Sequence, residues 1–448
     1  MKKQIRKKLH LTPARTLTLG FVILICIGTY LLKLPFAIRP GVPELAWIDA
    51  LFTATSATCV TGLVVVDTLT TYSTFGQVVI MLLVQIGGLG FMTFATVFAL
   101  MMRKRISLRE RLLLQEAMNA NSMEGIVRLI RKVILFSMLI EAAAATIFTV
   151  HWAVHIPLGR AAYLAVFHAI SLFNNGGFDL FGDFSSFQTF VNDPVFNITS
   201  IIIILAGGLG FVVLAELFDY KNMRRLSLHT KVVLATNGIL WVVGGIIILM
   251  LEYTNPHSLG VLDLPGKIYA SFFQSIGARS AGTSTVDIGA LRQVTQFMMI
   301  ILMFIGAAPG STGGGIKVTT FAILLVSALA MLRGKEDVEM FRYRLTKDLI
   351  LKALTITFIA LSVVISVSMM LAMTEEDSFI AILFETTSAV GTVGYSMGLT
   401  PELTLFGKMV LCVTMLIGRL GPMTLAFALG ARNIKRGYRH PEGKMMIG

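Results

Sequence analysis

The stretch FETTSAVGTVG, residues 384–394, recurs in modified form at three earlier places in the chain. Aligned on the final glycine, the other copies are FTATSATCVTG (52–62), FHAISLFNNGG (167–177) and FFQSIGARSAG (272–282). A phenylalanine stands ten residues before the glycine in all four copies, and a serine stands six residues before it in three of them. The glycines are 115, 105 and 112 residues apart. Such a near-constant period indicates an internal repeat of four units.

Long apolar segments surround these copies. Of the 448 residues, 55% are hydrophobic and 14% are charged, and the mean hydropathy is +0.78, whereas a soluble domain carries about 25% charged residues. Eight segments are long enough to cross a bilayer; they lie near 16–36, 77–102, 130–153, 196–217, 232–251, 295–331, 349–373 and 405–430. Four shorter apolar stretches, near 46–57, 161–172, 267–278 and 378–389, have the length of re-entrant helices.

This order predicts an all-α membrane protein with four repeats of span, re-entrant pore helix, loop and span around one pseudo-fourfold pore. The predicted protein has eight transmembrane helices and four re-entrant pore helices. We expect the repeats to cover residues 1–105, 106–225, 226–340 and 341–448, the last including a basic C-terminal tail. The apolar run after the basic N-terminus is interpreted as the first membrane helix rather than a cleaved signal, because no Ala-x-Ala-like site follows it.

The positive charge is distributed in a way that predicts the orientation. Lys and Arg concentrate within residues 2–15, 103–132, 221–231, 333–352 and 432–444. All five regions fall on one side if the chain has eight spans, and the Lys/Arg-rich side is cytoplasmic. Both termini are therefore predicted to be cytoplasmic. Topology accounts for the net charge of +13, and no soluble basic face predicts nucleic-acid binding.

Other chemistry finds little support in the sequence. The cysteines Cys26, Cys59 and Cys412 have no zinc-like or disulfide-like spacing. No nucleotide, metalloprotease or triad motif is present, so we expect no enzyme activity and no cofactor in this chain.

The glycine-ended loops predict a cation path. Irregular backbone at membrane depth is tolerated where it lines a water-filled cavity or is buried in protein, and rings of backbone carbonyls replace the hydration shell of K⁺. Residues 392–395 read TVGY, four of the five residues of the potassium-channel TVGYG loop. We name the four predicted filter stretches the aligned segments. They are Cys59, Val60, Thr61 and Gly62; Asn174, Asn175, Gly176 and Gly177; Arg279, Ser280, Ala281 and Gly282; and Gly391, Thr392, Val393 and Gly394.

The chain resembles the Trk/Ktr/HKT superfamily, and within it the potassium-translocating membrane subunit of bacterial Ktr-type uptake systems. The resemblance rests on SATCVTGL (56–63), FNNGGF (173–178), RSAG (279–282), GTVG (391–394) and IGRLGPMT (417–424). It implies K⁺ uptake across the bacterial cytoplasmic membrane, K⁺ selectivity from the four glycines, and Na⁺ as a possible co-ion. It further implies a homodimer on a cytosolic ring of RCK-type subunits, with ATP/ADP or NAD bound on that ring. The departures are Cys59, where threonine is common, and Thr283 after the third glycine.

The sixth apolar segment contains the sequence IGAAPGSTGGGIK, residues 305–317. One proline and five glycines there are incompatible with a regular helix, so we expect two helices joined by a loop. The resemblance implies an intramembrane gate at this place, whose residues are Pro309, Gly310, Ser311, Thr312, Gly313, Gly314, Gly315 and Lys317, with Arg419 beside them. The alternative is that the small residues merely allow close helix packing.

Arg419 and Lys317 are cations inside apolar segments, a placement that is costly and often functional. Arg419 is predicted to add an electrostatic barrier beneath the filter. The alternative is a structural ion pair with an intramembrane acid such as Glu385, or snorkelling. We expect Glu385 to have a structural role behind the filter and His168 to be a packed residue.

The glycine clusters 87–90 and 207–210 are predicted to be packing and bend sites. The alternative function is a secondary transporter with inverted repeats and a midplane solute site. Four loops of one orientation favour the pore.

Overall fold

The computed structural model describes residues 13–90, 126–218 and 226–421, and these parts of the chain are almost entirely helical. The helices are α1 Pro13–Lys33, α2 Trp47–Cys59, α3 Thr68–Thr71, α4 Thr74–Leu89, α5 Ile126–Trp152, α6 Leu158–Phe173, α7 Pro194–Gly208, α8 Phe211–Phe218, α9 Leu228–Glu252, α10 Leu264–Gly277, α11 Gln293–Ile305, α12 Val318–Leu332, α13 Lys347–Leu371, α14 Phe379–Gly391 and α15 Leu405–Leu420. Short 3₁₀ turns cover Pro35–Ala37, Gln188–Phe190, Leu259–Val261 and Thr400–Glu402. A small hairpin pairs β1 Glu339–Met340 with β2 Tyr343–Arg344. The basic tails and the basic residues 103–111 and 221–225 lie outside the described residues.

Four long helices recur along the described part of the chain. Helices α1, α5, α9 and α13 are each long and apolar enough to cross a membrane, and the bent pair α7–α8 is a fifth candidate among the described residues. Their outer faces carry large apolar side chains, such as Val150, 67% exposed, and Phe358, 73% exposed. Apolar faces this exposed are suited to contact with lipid chains, because burying them in hydrocarbon removes them from water.

A short helix follows each long one and ends next to an aligned segment. Helices α2, α6, α10 and α14 have nearly the bounds predicted for the four re-entrant stretches. A cap explains where two of them begin: the side-chain oxygens of Asp263 and Ser378 accept hydrogen bonds from backbone N–H groups of α10 and α14. A long helix followed by a short helix thus occurs four times within the described residues.

Within the described residues, the apolar helix that follows each aligned segment ends at or close to a glycine with positive φ. Helix α4 ends at Leu89, α7 passes into α8 through a bend of 107°, and α15 ends at Leu420. The glycines at the breaks have φ values of 85° at Gly90, 91° at Gly210, 65° at Gly306 and 80° at Gly421. The apolar segment predicted over 196–217 is therefore bent, and the bend lies in the glycine cluster 207–210, which the sequence predicts to be a bend site. Apolar length does not register a single glycine whose positive φ ends the helix.

The break predicted in the sixth apolar segment is confirmed. Helix α11 ends at Ile305 and α12 begins at Val318. Residues 306–317 between them, which we call the glycine-rich loop, have positive φ at Gly306, Gly310, Gly315 and Lys317. Several backbone groups of this loop pair with the chain outside it, as described below.

Three glycines let the second helices approach the short helices closely. A Cβ on any of them would strike a backbone carbonyl that stands four residues before an aligned glycine. The pairs of glycine and carbonyl are Gly87 with Thr58, Gly207 with Phe173, and Gly418 with Val390. The clusters 87–90 and 207–210 thus serve packing and bending, as the sequence predicts.

Candidate functional site

The four aligned glycines meet at one place in the structure. A Cβ built on Gly62 would lie 2.6 Å from the Cα of Gly177, and one on Gly394 would lie 3.0 Å from the Cα of Gly62. A Cβ on Gly282 would lie 2.8 Å from the Cα of Gly394, and one on Gly177 would lie 3.4 Å from the carbonyl oxygen of Ala281. Each segment therefore touches two others, and the four close into a ring.

Backbone carbonyls stand at the junctions of this ring. The carbonyl oxygen of Gly176 would be 2.9 Å from a Cβ on Gly62, and that of Thr61 would be 3.3 Å from a Cβ on Gly177. All four glycines have φ between 64° and 100°, a range that side-chain-bearing residues rarely adopt. Glycine is thus required here both by conformation and by space.

Three of the four segments share an unusual backbone turn. Val60, Asn175 and Thr392, each two residues before its glycine, have φ values of 56°, 58° and 47°. The third segment differs, because the N–H groups of Ser280 and Ala281 bond back to the carbonyl of Gly277 at 3.1 and 3.0 Å. The ring is therefore made of four segments, but the backbone conformation of the third segment differs from that of the other three.

The repeated serine explains part of this asymmetry. The N–H groups of Gly62 and Gly394 donate to the hydroxyl oxygens of Ser56 and Ser388, each at 3.0 Å. In the second segment, Ser171 donates instead to the carbonyl of Phe178 at 2.6 Å. The third repeat has Ile276 at the matching position, which offers no hydrogen bond.

Replacing Ser388 with alanine is expected to lower the stability of the protein. The buried N–H of Gly394 would lose its acceptor, and an unsatisfied buried donor costs about 1–3 kcal/mol. Thermal unfolding of the detergent-purified protein measures the effect. Ser362→Ala is the control, since that exposed hydroxyl bonds within its own helix. If Ser388→Ala and Ser362→Ala unfold at the same temperature, the hydrogen bond from Gly394 to Ser388 does not stabilise the protein.

Some predicted filter residues use their side chains as anchors. The guanidinium of Arg279, 2% exposed, donates to the carbonyl of Gly306, with an Nε–O distance of 3.1 Å, and to Oδ1 of Asn237 at 2.5 Å. This ties the third aligned segment to α9 and to the end of α11. Sequence reasoning selected Arg279 for its carbonyl and missed Asn237, although a polar residue within an apolar span was a usable signal.

The second segment has an anchor of its own. Nδ2 of Asn174 donates to Oε1 of Gln85 at 2.6 Å and lies 3.3 Å from Oε1 of Glu141. Nε2 of Gln85 donates to Oε2 of Glu141 at 3.1 Å. The sequence analysis singled out neither residue, and both are polar positions inside apolar helices.

The glycine-rich loop lies directly against the aligned segments. A Cβ on Gly313 would be 2.7 Å from Cβ of Ser280, and one on Gly314 would be 2.8 Å from the carbonyl oxygen of Gly391. Nδ2 of Asn175 donates to Oγ1 of Thr312 at 2.6 Å. The loop thus contacts the second, third and fourth segments.

The same loop is docked on the bend between α7 and α8. The N–H of Ala308 donates to the carbonyl of Gly208 at 3.2 Å, and the N–H of Phe211 donates to the carbonyl of Gly310 at 2.8 Å. A Cβ on Gly210 would lie 2.7 Å from the carbonyl oxygen of Pro309. Ser311 makes a bond within the loop, from its hydroxyl to the carbonyl of Ala308 at 2.6 Å.

Arg419 joins this loop to α4. Its guanidinium donates to the carbonyls of Thr312 and Gly87, and to that of Gly88 at 2.9 Å. The Nζ of Lys317 likewise bonds loop carbonyls, those of Gly313 and, at 3.2 Å, Gly314. The loop and α4 thus surround these two cations with carbonyl oxygens.

The alternative of an ion pair between Arg419 and Glu385 is wrong. Glu385, fully buried, accepts hydrogen bonds from Ser396 and, at 2.8 Å, from Thr400. His168, also fully buried, bonds the carbonyl of Leu164 at 2.8 Å and accepts from the N–H of Leu180 at 3.1 Å. Both side chains therefore have packed, structural settings.

Several buried oxygens at the site lack a hydrogen-bond partner among the described residues. They include Oγ1 of Thr61, Oγ1 of Thr392 and Oδ1 of Asn175. A buried polar atom without a partner costs free energy.

Comparison with known proteins assigns the family. Residues 19–433 match the model of the TrkH family, described as cation transport proteins. The chain belongs to this family. It is 42% identical over 447 residues to the Ktr system potassium uptake protein B of Bacillus subtilis, covering 100% of this chain and 99% of that one. It is 38% identical to the potassium/sodium uptake protein NtpJ of Enterococcus hirae, with 100% and 99% coverage.

The fold agrees with a solved member of the TrkH family. The crystal structure of the potassium transporter TrkH from Vibrio parahaemolyticus superposes with a TM-score of 0.75 at 19% identity, covering 95% of this chain and 86% of that chain. The resemblance predicted from the aligned segments is thereby confirmed. Relatives and fold are those of a membrane cation transporter and not of an enzyme.

Proposed function

We propose that this chain takes up K⁺ across the bacterial cytoplasmic membrane through a path lined by backbone carbonyls of the four aligned segments. The observation that carries the proposal is the closed ring of four positive-φ glycines drawn from all parts of the chain. Carbonyl rings of this kind replace the hydration shell of K⁺. The relatives named as potassium uptake proteins support the choice of ion.

The four short helices favour a cation at the ring. Helices α2, α6, α10 and α14 each end at or just before an aligned segment, and a helix C-terminus carries a partial negative charge. Together with the fourfold element order, this supports a pseudo-fourfold pore made of four repeats with the boundaries 1–105, 106–225, 226–340 and 341–448.

The glycine-rich loop is proposed as the gate beneath the filter. Its contacts with three aligned segments and its hydrogen bonds to Arg419, which also bonds α4, support this role. A guanidinium at that place also repels a passing cation. Displacing the loop opens the path without moving whole repeats.

Partners and orientation follow from the resemblance and from charge. We propose cytoplasmic termini, a homodimer, and a cytosolic ring of RCK-type subunits that bind ATP/ADP or NAD. The word "system" in the names of the Ktr relatives supports the presence of further subunits. The name of the Enterococcus protein supports Na⁺ as a co-ion.

Expression in a bacterium that lacks its own K⁺ uptake systems tests the proposal. We expect growth at limiting K⁺ to be restored, in the presence of a cytosolic partner subunit, relative to cells carrying an empty vector. Both strains should grow equally at ample K⁺. Failure to grow at limiting K⁺, with the protein detected in the membrane, would contradict the proposed function.

A further inference from the structure

One hydrogen bond connects the ring directly to the glycine-rich loop by side chains. Nδ2 of Asn175 and Oγ1 of Thr312 are 2.6 Å apart, and both residues are fully buried. They are 137 residues apart in sequence. The repeat pattern does not predict this hydrogen bond, because the repeat includes the aligned segments but not the glycine-rich loop.

Asn175 is suited to this contact by its backbone. Its φ of 58° is a conformation that asparagine tolerates better than most residues. The matching residues of the other segments are Val60, Ser280 and Thr392, and no side-chain hydrogen bond joins these to the loop within the described residues. The second segment is therefore the one that is tied to the loop in this way.

Thr312 collects contacts from three other parts of the chain. Its hydroxyl accepts from Asn175 and donates to the carbonyl of Gly207 at 3.2 Å, on α7. Its carbonyl accepts from Arg419, which also holds α4. A Cβ on Gly207 would lie 3.1 Å from Nδ2 of Asn175, so a glycine there leaves room for the amide. Moving Thr312 breaks all of these contacts at once.

We infer that Asn175 and Thr312 are positioning residues that couple ion preference at the ring to the position of the glycine-rich loop. The inference rests on the proposed function. While the bond is intact, the amide is fixed and holds the strained turn that precedes Gly176 and Gly177. When the bond is lost, the turn loses one support and the neighbouring carbonyls gain freedom, which reduces discrimination between ions of different size. Coupling of this kind is reciprocal: ion binding at the ring biases the loop as well.

Thr312→Val tests the coupling, because it removes the hydroxyl and keeps the shape. Uptake of radioactive rubidium into proteoliposomes, with Na⁺ as competitor, gives basal flux and ion preference from one preparation. We expect basal flux to rise and the preference for K⁺-like ions over Na⁺ to fall, each about two- to tenfold, the range that loss of one neutral hydrogen bond produces. Thr312→Ser restores the hydroxyl and should return both quantities toward wild type.

Thr414→Val is the matched control. Thr414 is buried, and its hydroxyl bonds the carbonyl of Val410 within its own helix at 2.8 Å, so both quantities should stay at the wild-type level. Asn175→Gly removes the same bond from the other side while keeping the positive φ accessible, and it should reproduce Thr312→Val. Asn175→Gly also tests the coupling if Thr312→Val fails to fold.

The outcomes separate the coupling from the proposed function. If Thr312→Val raises the basal flux but leaves the preference for K⁺-like ions over Na⁺ unchanged, Thr312 holds the loop without affecting ion preference at the ring. That result would overturn the coupling. Unchanged flux and preference in both variants would overturn it as well. Wild-type vesicles without selective rubidium uptake would instead overturn the proposed function itself.

Discussion

Gly62→Ser is expected to lower the preference for K⁺ over Na⁺ about tenfold or more, which corresponds to ~1.4 kcal/mol in the difference between the two binding free energies. The reason is geometric. The new Cβ would lie 2.6 Å from the Cα of Gly177 and 2.9 Å from the carbonyl oxygen of Gly176. The second segment must move to make room, and the ring then no longer fits K⁺.

Conformation adds to this effect. Gly62 has a φ of 91°, and a side-chain-bearing residue held in such a region costs about 1–3 kcal/mol. The added hydroxyl also presents a new oxygen to the path. Rubidium uptake with Na⁺ as competitor measures the preference in vesicles of wild type and variant.

Gly398→Ser is the matched control for the first prediction. Gly398 has a φ of 101°, but nothing lies within 4 Å of a Cβ built on it. It therefore reproduces the conformational strain without the crowding, and we expect its ion preference to remain near the wild-type value. If Gly62→Ser keeps full K⁺ preference, the assignment of residues 59–62 to the filter is wrong.

The second large effect is expected for Arg419→Ala. Its basal cation flux should rise about tenfold or more, and its cation flux should depend less on the cytosolic partner than that of the wild type. The substitution removes the hydrogen bonds to Thr312, Gly87 and Gly88, and bonds from a charged donor contribute about 1.5–3 kcal/mol each. Without them the glycine-rich loop is less firmly held, and a positive charge leaves the path. Flux into proteoliposomes, with and without the partner, is the measurement.

Two further variants sharpen this test. Deleting two residues within Gly310–Gly315 shortens the loop directly and should act in the same direction. Arg344→Ala is the control, because Arg344 is exposed and pairs with Asp337 at 2.8 Å in a surface hairpin, so its loss should leave flux unchanged. Should the shortened loop and Arg419→Ala both keep flux low and regulated, the loop is a packing device and the gate lies elsewhere.

The sequence predicts those features that repeat or that break a helix. Four copies of one pattern indicate that Gly62, Gly177, Gly282 and Gly394 belong to equivalent places, and the structure brings them together. The density of helix-breaking residues around Pro309 likewise predicts the loop after α11. Both signals are patterns of residue types in the sequence itself, so they can be recognised without knowledge of tertiary contacts.

Features that depend on distant partners are not predictable in this way. Asn237, Gln85 and Glu141 acquire their roles from Arg279 and Asn174, which reach them across helix boundaries. A polar residue in an apolar span signals that some partner exists, but it does not say which one.

The bend after α7 illustrates a second reason. The glycine cluster 207–210 predicts a bend but not its neighbour: a Cβ on Gly210, whose φ is 91°, would lie 2.7 Å from the carbonyl oxygen of Pro309. The contact that fixes the bend comes from a loop about 100 residues away, and apolar length carries no information about it.

The most direct test of the central claim is ion flux into proteoliposomes that contain the purified chain together with its cytosolic partner. With K⁺ or Na⁺ outside at the same concentration, we predict that K⁺ is taken up faster than Na⁺. In a separate measurement, excess Na⁺ should reduce K⁺ uptake only weakly. In Gly62→Ser the difference between the K⁺ and Na⁺ fluxes should be lost. Arg419→Ala, measured without the partner, should show higher basal flux than the wild type. Equal fluxes of K⁺ and Na⁺ in the wild type, or no flux of either ion in wild type and Arg419→Ala, would contradict the account.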